Sequence, residues 1–373
     1  MVCDKQNAEG DGVSRERFLE GSIMKALAFL GIGKIGVIDK PIPDPGPNDA
    51  VIKTTASLIC TSDVHTVRGV IPIPEGRVLG HESVGVVYKL GANVTNWKEG
   101  DRVAVCAITP CGRCDDCQRG YPSQCGGMLG GYKFTTQRDG NMAEYFFVND
   151  ADFNLTPIPK SLSDEQAVYI TDMLTTGLAG AENAEIPAGG TVAIFAQGPV
   201  GLCATMAARL LGAGLVIAVE SKPDRKELAK RCGADVVVDP TQGDPVEHIK
   251  HLTGGVGVDA AIEALGHPVT FENCIKATKP GGVISNIGYH GEAGNALQIP
   301  LAEFGLGMSD KKIRTALCPG GRERMTRLLR LIENGRLDPT PLTTHRFPFA
   351  EVENAFHMME TKQDNIIKPL ITF

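Results

Sequence analysis

From Met24 to about Asp150 the chain alternates short apolar runs with Pro- and Gly-rich turns. Segments such as "MKALAF", "DAVIKTTAS", "SVGVVYKL" and "DRVAVCAI" have the length and β-branched content of strands, and they predict an all-β, barrel-like half. After roughly residue 175 the rhythm changes. "TVAIFA" (191–196) is an unbroken apolar run. Apolar residues at Val200, Cys203, Met206, Ala207, Leu210 and Leu211 follow at helical spacing, and "LVIAVE" (215–220) is a second run. The same alternation predicts a helix opened by Asp224, the strand "DVVVD", a helix with Asp244 as N-cap and Pro245 at its first position, and the strand "VDAAIEA". A helix near 268–277 and the strand "GVISNIG" (282–288) complete it. Parallel neighbours need crossover helices, and strands covered on both faces read as continuous apolar runs. This half is therefore expected to be an α/β, doubly wound parallel sheet. The last sixty or so residues mix helix ("RERMTRLLRLIENG", "FAEVENAFHMME") with short strands, and their pattern leaves open which half they join.

The 373 residues fit two domains, because single cores stop growing near roughly 250–300 residues. No apolar run approaches the ~18 residues that span a bilayer, so a membrane protein is not expected. The net charge of −7, with both signs interspersed, offers no basic stripe to a phosphate backbone, and nucleic acid is not an expected partner. Eleven cysteines, several in apolar surroundings such as Cys203, Cys232 and Cys274, match a secreted disulfide framework poorly and point to a reducing cytoplasm. The first 23 residues have no apolar stretch and carry Asp4, Glu9, Asp11, Glu16 and Glu20, which reads as a solvated extension rather than a targeting peptide.

Candidate chemistry sits at three places. "AQGPVG" falls between a strand and a helix, where backbone N–H groups at the helix N-terminus meet a pyrophosphate. Gly198 and Gly201, with Pro199 and Val200 between them, occupy the second and third glycine positions of a dinucleotide loop, while Ala196 stands at the first. Glu220 ends the next strand, where a carboxylate hydrogen-bonds both ribose hydroxyls of NAD and repels the 2′-phosphate of NADP. Lys222, two positions on, could instead neutralise that phosphate. NAD is the expected cofactor. In "CGRCDDCQRGYPSQC", Cys111, Cys114, Cys117 and Cys125 have the spacing of a tetrahedral four-thiolate zinc site, with disulfides as the plainer alternative. In the β-rich half, Cys60, His81 and Glu82 are zinc-competent donors, though a lone buried cysteine or core histidine is the commoner fate of each.

"CTSDVHT", "GHESVGVVYKLGANVTNWKEGDRV", the four-cysteine lobe and "GPVG", in that order along the chain, resemble the zinc-containing medium-chain alcohol dehydrogenases. "ITPCG", "GGMLGGYKF", "VNDADFNL", "TDMLTTG" and "ALCPGGRERM" are similar to the tetrameric bacterial secondary-alcohol dehydrogenases. The resemblance implies a GroES-like β-rich catalytic domain over 24–175 with a structural zinc lobe, a Rossmann NAD-binding domain over 176–316, and a C-terminal return to the catalytic domain over 317–373. It implies two zinc ions per chain, one of them catalytic and held by Cys60, His81 and Asp172. Glu82 is then an exchangeable fourth ligand, or else an outer carboxylate or salt-bridge partner. Ser62 would take a proton from the substrate oxygen, and His65 would stand at the far end of the relay to solvent. Ala107, Ile108, Tyr132, Met173, Tyr289 and Leu317 would wall the pocket, equally readable as plain core. The implied reaction is reversible hydride transfer between small alcohols, secondary and also primary, and NAD, which interconverts those alcohols with ketones or aldehydes, in a homotetramer. A polyol, formaldehyde or threonine dehydrogenase on the same scaffold is the alternative enzyme. A non-catalytic zinc- and nucleotide-binding relative is the alternative outside enzymes.

Overall fold

The computed structural model describes residues 23–373, so the expected N-terminal extension lies outside the described residues apart from Ile23, which opens the first strand. The β-rich half holds β1 (Ile23–Phe29), β2 (Ile35–Pro41), β3 (Ala50–Leu58), α1 (Thr61–Val67), β4 (Glu82–Leu90), β5 (Arg102–Val105), α2 (Asp115–Gln118), β6 (Tyr145–Val148), α3 (Ala151–Asn154), β7 (Leu155–Pro157), α4 (Asp164–Val168) and α5 (Met173–Asn183). The second half runs β8 (Thr191–Phe195), α6 (Pro199–Leu210), β9 (Leu215–Val219), α7 (Pro223–Arg231), β10 (Val236–Val238), α8 (Pro245–Leu252), β11 (Val258–Glu263), α9 (Pro268–Ala277), β12 (Thr278–Asn286) and β13 (Lys312–Thr315). Then come α10 (Arg322–Glu333), β14 (Thr343–Pro348), α11 (Val352–Thr361) and β15 (Lys368–Thr372).

The second half is a six-stranded sheet ordered β10-β9-β8-β11-β12-β13, parallel at every pairing. Its strand order reverses between β8 and β11, so the loops after these strands open a crevice at their carboxyl ends, the position at which such sheets bind ligands. Helices cover both faces, and β8 and β9 are buried from their second residue onward. The last residues answer what their pattern left open: β15 pairs antiparallel with β3, Leu370 opposite Leu58, in a seven-stranded sheet ordered β14-β15-β3-β4-β5-β7, with β6 on β3. One apolar core joins the halves, running from Leu58, Val84 and Ala104 through Leu174 and Leu178 to Cys203, Val216 and Leu328.

Several elements depart from expectation. The first half is not all-β. Seven residues after β3 form α1, because the Asp63 carboxylate turns back to accept from the Cys60 backbone N–H at 2.9 Å and closes the first turn. Its strands form two separate sheets rather than one closed barrel. The helix expected to open at Asp224 starts at Pro223, with Lys222 as its cap, and β12 begins at Thr278 rather than 282. Position 175 falls inside α5, a continuous helix that packs on α6. A Cβ at Gly177 would lie 2.5 Å from that of Cys203. Among the described residues no helix is long and apolar enough to cross a membrane.

Candidate active site

Cys60 is the first residue after Ile59 at the end of the β3 ladder and caps α1. His81 and Glu82 stand at the entry to β4, which pairs with β3, Leu58 opposite Glu82, so the strand ladder itself brings residues 60 and 82 to the same end of the sheet. Asp172 precedes α5, and the Thr171 carbonyl beside it accepts from Ala107 N–H at 2.7 Å. Cys60 Sγ, a His81 nitrogen and carboxylate oxygens of Glu82 and Asp172 all lie within 4.8 Å of one another. Individual separations are 3.9 Å (Cys60 Sγ to Asp172 Oδ2), 3.3 Å (His81 Nε2 to Asp172 Oδ2) and 4.0 Å (His81 Nε2 to Glu82 Oε1). A zinc tetrahedron with ligand bonds of ~2.0–2.3 Å has edges of about 3.3–3.8 Å, so these donors need only small adjustments to close on an ion.

The surroundings fit the same ion. Asp63, buried, accepts from Gly80 N–H at 3.1 Å and lies 3.4 Å from His81 Nδ1. With Nδ1–H directed at a carboxylate, Nε2 keeps its lone pair for the cluster, the arrangement that orients histidine ligands of metals. Gly80 makes the loop possible: its φ is 89°, and a Cβ there would meet Met142 N at 2.8 Å. Glu82 Oε1 accepts from Lys368 Nζ, and both side chains are fully buried. Glu82 Oε2 is buried with no partner, an orphaned anionic oxygen beside the other donors. Lys368 Nζ also donates to the Ile59 carbonyl at 3.1 Å, tying β15 to the residue before Cys60.

Charges follow from this crowding. Burial alone would neutralise His81, but the Tyr132, Asp63 and Asp172 oxygens raise it well above histidine's ordinary value. Asp172 and Asp63 are likewise penalised by burial yet held below the usual carboxylate range by His81. Burial pushes Glu82 up, against the pull of Lys368.

Ser62 Oγ lies 3.2 Å from His81 Nε2, at the rim of the cluster. His65, on the same helix, does not reach it; its Nδ1 lies 3.0 Å from Glu292 Oε1, on the loop after β12. Of the expected wall, Ala107, Ile108 and Met173 are buried in the joint core with Cys60, and Tyr132 and Leu317 pack against it. Tyr132 also places its hydroxyl 3.3 Å from His81 Nδ1. Tyr289 is not with them: it is half-exposed, its ring 5.8 Å from that of His65.

At the crevice, Ala196 adopts φ 73°, the left-handed region that the first glycine of such loops would occupy without strain. Gly198, the N-cap of α6, has open space where a Cβ would stand, leaving room for a ligand at the helix N-terminus. At Gly201 a Cβ would lie 2.0 Å from the Ala196 carbonyl, so helix and strand close only over glycine. Glu220 Oε2 accepts from Gln197 N–H at 3.0 Å, and Oε1 accepts from Ser221 and Lys222 N–H at 2.8 and 2.9 Å. A carboxylate has about four acceptor sites, so lone pairs remain for a diol. Lys222 is exposed. Lys368, Arg225 and Lys362 carry no motif that would single them out in sequence, and Asp63, although within "CTSDVHT", shows its role only through its contact with His81. Arg225 reaches to 3.9 Å from Glu220, and Lys362, without a carboxylate partner among the described residues, is pushed down to about 8 by burial and by Arg225.

The sulfurs of the second cluster, Cys111, Cys114, Cys117 and Cys125, likewise lie within 4.8 Å of one another. Cys114 Sγ is 3.5 Å from Cys117 Sγ and 3.9 Å from Cys125 Sγ, too far for S–S bonds of about 2.05 Å, and every cysteine among the described residues is unpaired. Backbone N–H groups of Cys111 and Cys114 point at the sulfurs of Cys125 and Cys111, each at 3.3 Å. The Cys117 backbone N–H, with neighbouring donors, lowers Cys114 to about 6, favouring the thiolate a metal requires.

Two family models match the chain: the alcohol dehydrogenase GroES-like domain over residues 46–160 and the zinc-binding dehydrogenase over 199–334. The chain is 45% identical over 361 residues to an alcohol dehydrogenase of Cupriavidus necator, covering 93% of this chain and 98% of the relative. It is 48% identical over 350 residues to the NADP-dependent isopropanol dehydrogenase of Thermoanaerobacter brockii, covering 93% and 99%. Among solved structures, the alcohol dehydrogenase TADH from Thermus sp. ATN1 superimposes with a TM-score of 0.84 at 30% identity, over 94% of this chain and 99% of that one.

Proposed function

The chain belongs to the zinc-dependent alcohol dehydrogenases built from a GroES-like and a zinc-binding dehydrogenase domain, and from that premise we propose that it interconverts small secondary alcohols and ketones with NAD(H). The observation that carries the reading is the heteroleptic cluster of Cys60, His81 and Asp172, with the unpartnered Glu82 Oε2 beside it. When bound, zinc there acidifies the substrate hydroxyl and the nicotinamide accepts the hydride. The protein's own part is positional. Asp63 aims His81, Ser62 Oγ stands at the rim to receive the hydroxyl proton, and Ala107, Ile108 and Met173 supply an apolar wall that suits small aliphatic groups better than polyols.

Gly198, Pro199, Val200 and Gly201 would hold the nucleotide's pyrophosphate at the α6 N-terminus, with Arg225 and Lys362 as further cations. Glu220, anchored by three backbone amides, supports NAD: its charge meets a ribose diol well and a 2′-phosphate badly. Several relatives are named NADP-dependent, which makes this the sharpest point to test. Zinc in the four-cysteine lobe brings the content to two ions per chain, and the resemblance to tetrameric enzymes supports a homotetramer, measurable by light scattering. The deciding experiment is a panel of 2-propanol, 2-butanol, acetone, ethanol, sorbitol and threonine with each nucleotide. The expected result is kcat/KM highest for the secondary alcohols and about tenfold or more in favour of NAD(H), roughly 1.4 kcal/mol or more. Preference for NADP(H) overturns the role of Glu220, and a zinc-replete protein inert towards every substrate overturns the proposal.

A further inference from the structure

His65 and Glu292 meet across the crevice between the two halves. His65 projects from α1, one turn beyond Ser62, and Glu292 stands on the loop that leaves β12 of the parallel sheet, its Oε1 3.0 Å from His65 Nδ1. Tyr289, on the same loop, lies against the imidazole, ring centroids 5.8 Å apart and tilted by 52°. Neither nitrogen of His65 has another hydrogen-bond partner among the described residues. Glu292 is 55% exposed and His65 23%, so solvent screens the pair and its loss would leave stability nearly unchanged.

Its consequence is chemical. A neutral imidazole carries one N–H, and a carboxylate only accepts. A neutral imidazole facing Glu292 would therefore carry its proton on Nδ1 and leave Nε2 bare, the form a proton acceptor needs. A carboxylate so placed fixes the ring's tautomer and direction and stabilises the imidazolium without taking the proton itself. We propose that Glu292 is a positioning residue: it holds His65 in the Nδ1–H tautomer so that Nε2 accepts the proton released by the substrate and the ring then returns it to solvent. The base is thus completed by a carboxylate from the other half of the chain. The inference rests on the alcohol dehydrogenase reading.

The test compares wild type, Glu292→Ala and Glu292→Gln, with His65→Asn to assign the ring signals. In 15N spectra of the nucleotide-free full chain, wild-type His65 should show the Nδ1–H pattern. Glu292→Ala should lose it, and Glu292→Gln, whose amide oxygen still accepts, should keep it in part. In the zinc-loaded enzyme at low buffer concentration, Glu292→Ala should lower kcat on the order of tenfold, below the usual contribution of a whole acid–base group because His65 itself remains. KM for alcohol and nucleotide and the melting temperature should be unchanged, and added phosphate, as an external proton acceptor, should restore kcat. An unaltered ring spectrum, or a kcat insensitive to both substitution and phosphate, overturns the inference. Wild-type protein that turns over no alcohol or ketone overturns the dehydrogenase reading instead, while the spectra still report on Glu292.

Discussion

Cys111, Cys114, Cys117 and Cys125 come from fifteen consecutive residues, whereas Cys60 and Asp172 stand 112 positions apart and meet His81 and Glu82 only through the fold. The lobe is built from turns, its sulfurs are met by backbone N–H groups of its own loop, and all four donors are thiols. Four thiolates close a tetrahedron and leave no position for substrate. The other cluster mixes sulfur, nitrogen and oxygen, and it is buried among groups that strain against their own charges: a raised His81, depressed Asp172 and Asp63, and a Glu82 shared with Lys368. Donor count and compactness are the same in both. In the proposed function it is the site with unequal donors, whose environment is supplied by the rest of the molecule, that carries the reaction.

Five experiments press on that contrast. The largest effect is expected from His81→Ala, a loss of turnover on the order of a thousandfold, with one zinc per chain kept at the lobe. Cys114→Ser should do the converse, removing the lobe's metal and lowering the melting temperature while the surviving folded protein still turns over. Metal analysis beside kcat reads both. Lys368→Met leaves the buried Glu82 without its partner and should destabilise the protein by about 3–5 kcal/mol in denaturant titrations, an effect with no counterpart in the lobe. Asp63→Asn should weaken zinc at the reactive cluster by roughly 10–100-fold and leave the lobe's affinity alone, measured by chelator competition.

The smallest effect is a difference in pH slope. Because metal-free His81 holds its proton above histidine's usual value, that group stabilises the metal-free fold below its ordinary value, a contribution lost as pH rises through the raised one. Zinc must displace this proton, so affinity at the reactive cluster should climb with pH through and beyond neutrality. At the lobe Cys114 is lowered to about 6, but burial pushes Cys117 up to about 12 and Cys125 upward as well, so zinc must displace thiol protons there too and affinity should climb more steeply with pH than at the His81 cluster; chelator competition from pH 5.5 to 8.5 on both sites compares the two slopes.

Several of these elements follow from the local sequence alone. Asp244 caps α8 by accepting from Val246 N–H at 2.8 Å, α9 spans 268–277 as its pattern predicts, and the lobe's cysteines converge as their spacing requires. These features are local: a cap, a helical period and a turn with x2 spacing are each decided by residues within one or two turns of chain. What escaped is α1, because its first turn is held by an aspartate in a short polar stretch with no apolar stripe to announce a helix.

The strand–helix train, the glycine-containing turn between β8 and α6, the thiol lobe and the identity of the scattered donors were set by short-range periodicity and by the chemistry of single side chains. The fold alone brings Asp63 to His81, Lys368 of the last strand to Glu82, Arg225 towards Glu220 and Glu292 to His65. Each of these is one charged residue among many. What distinguishes it is burial beside a particular partner, and neither burial nor partnership exists until β15 lies on β3 and the parallel sheet closes against the first half.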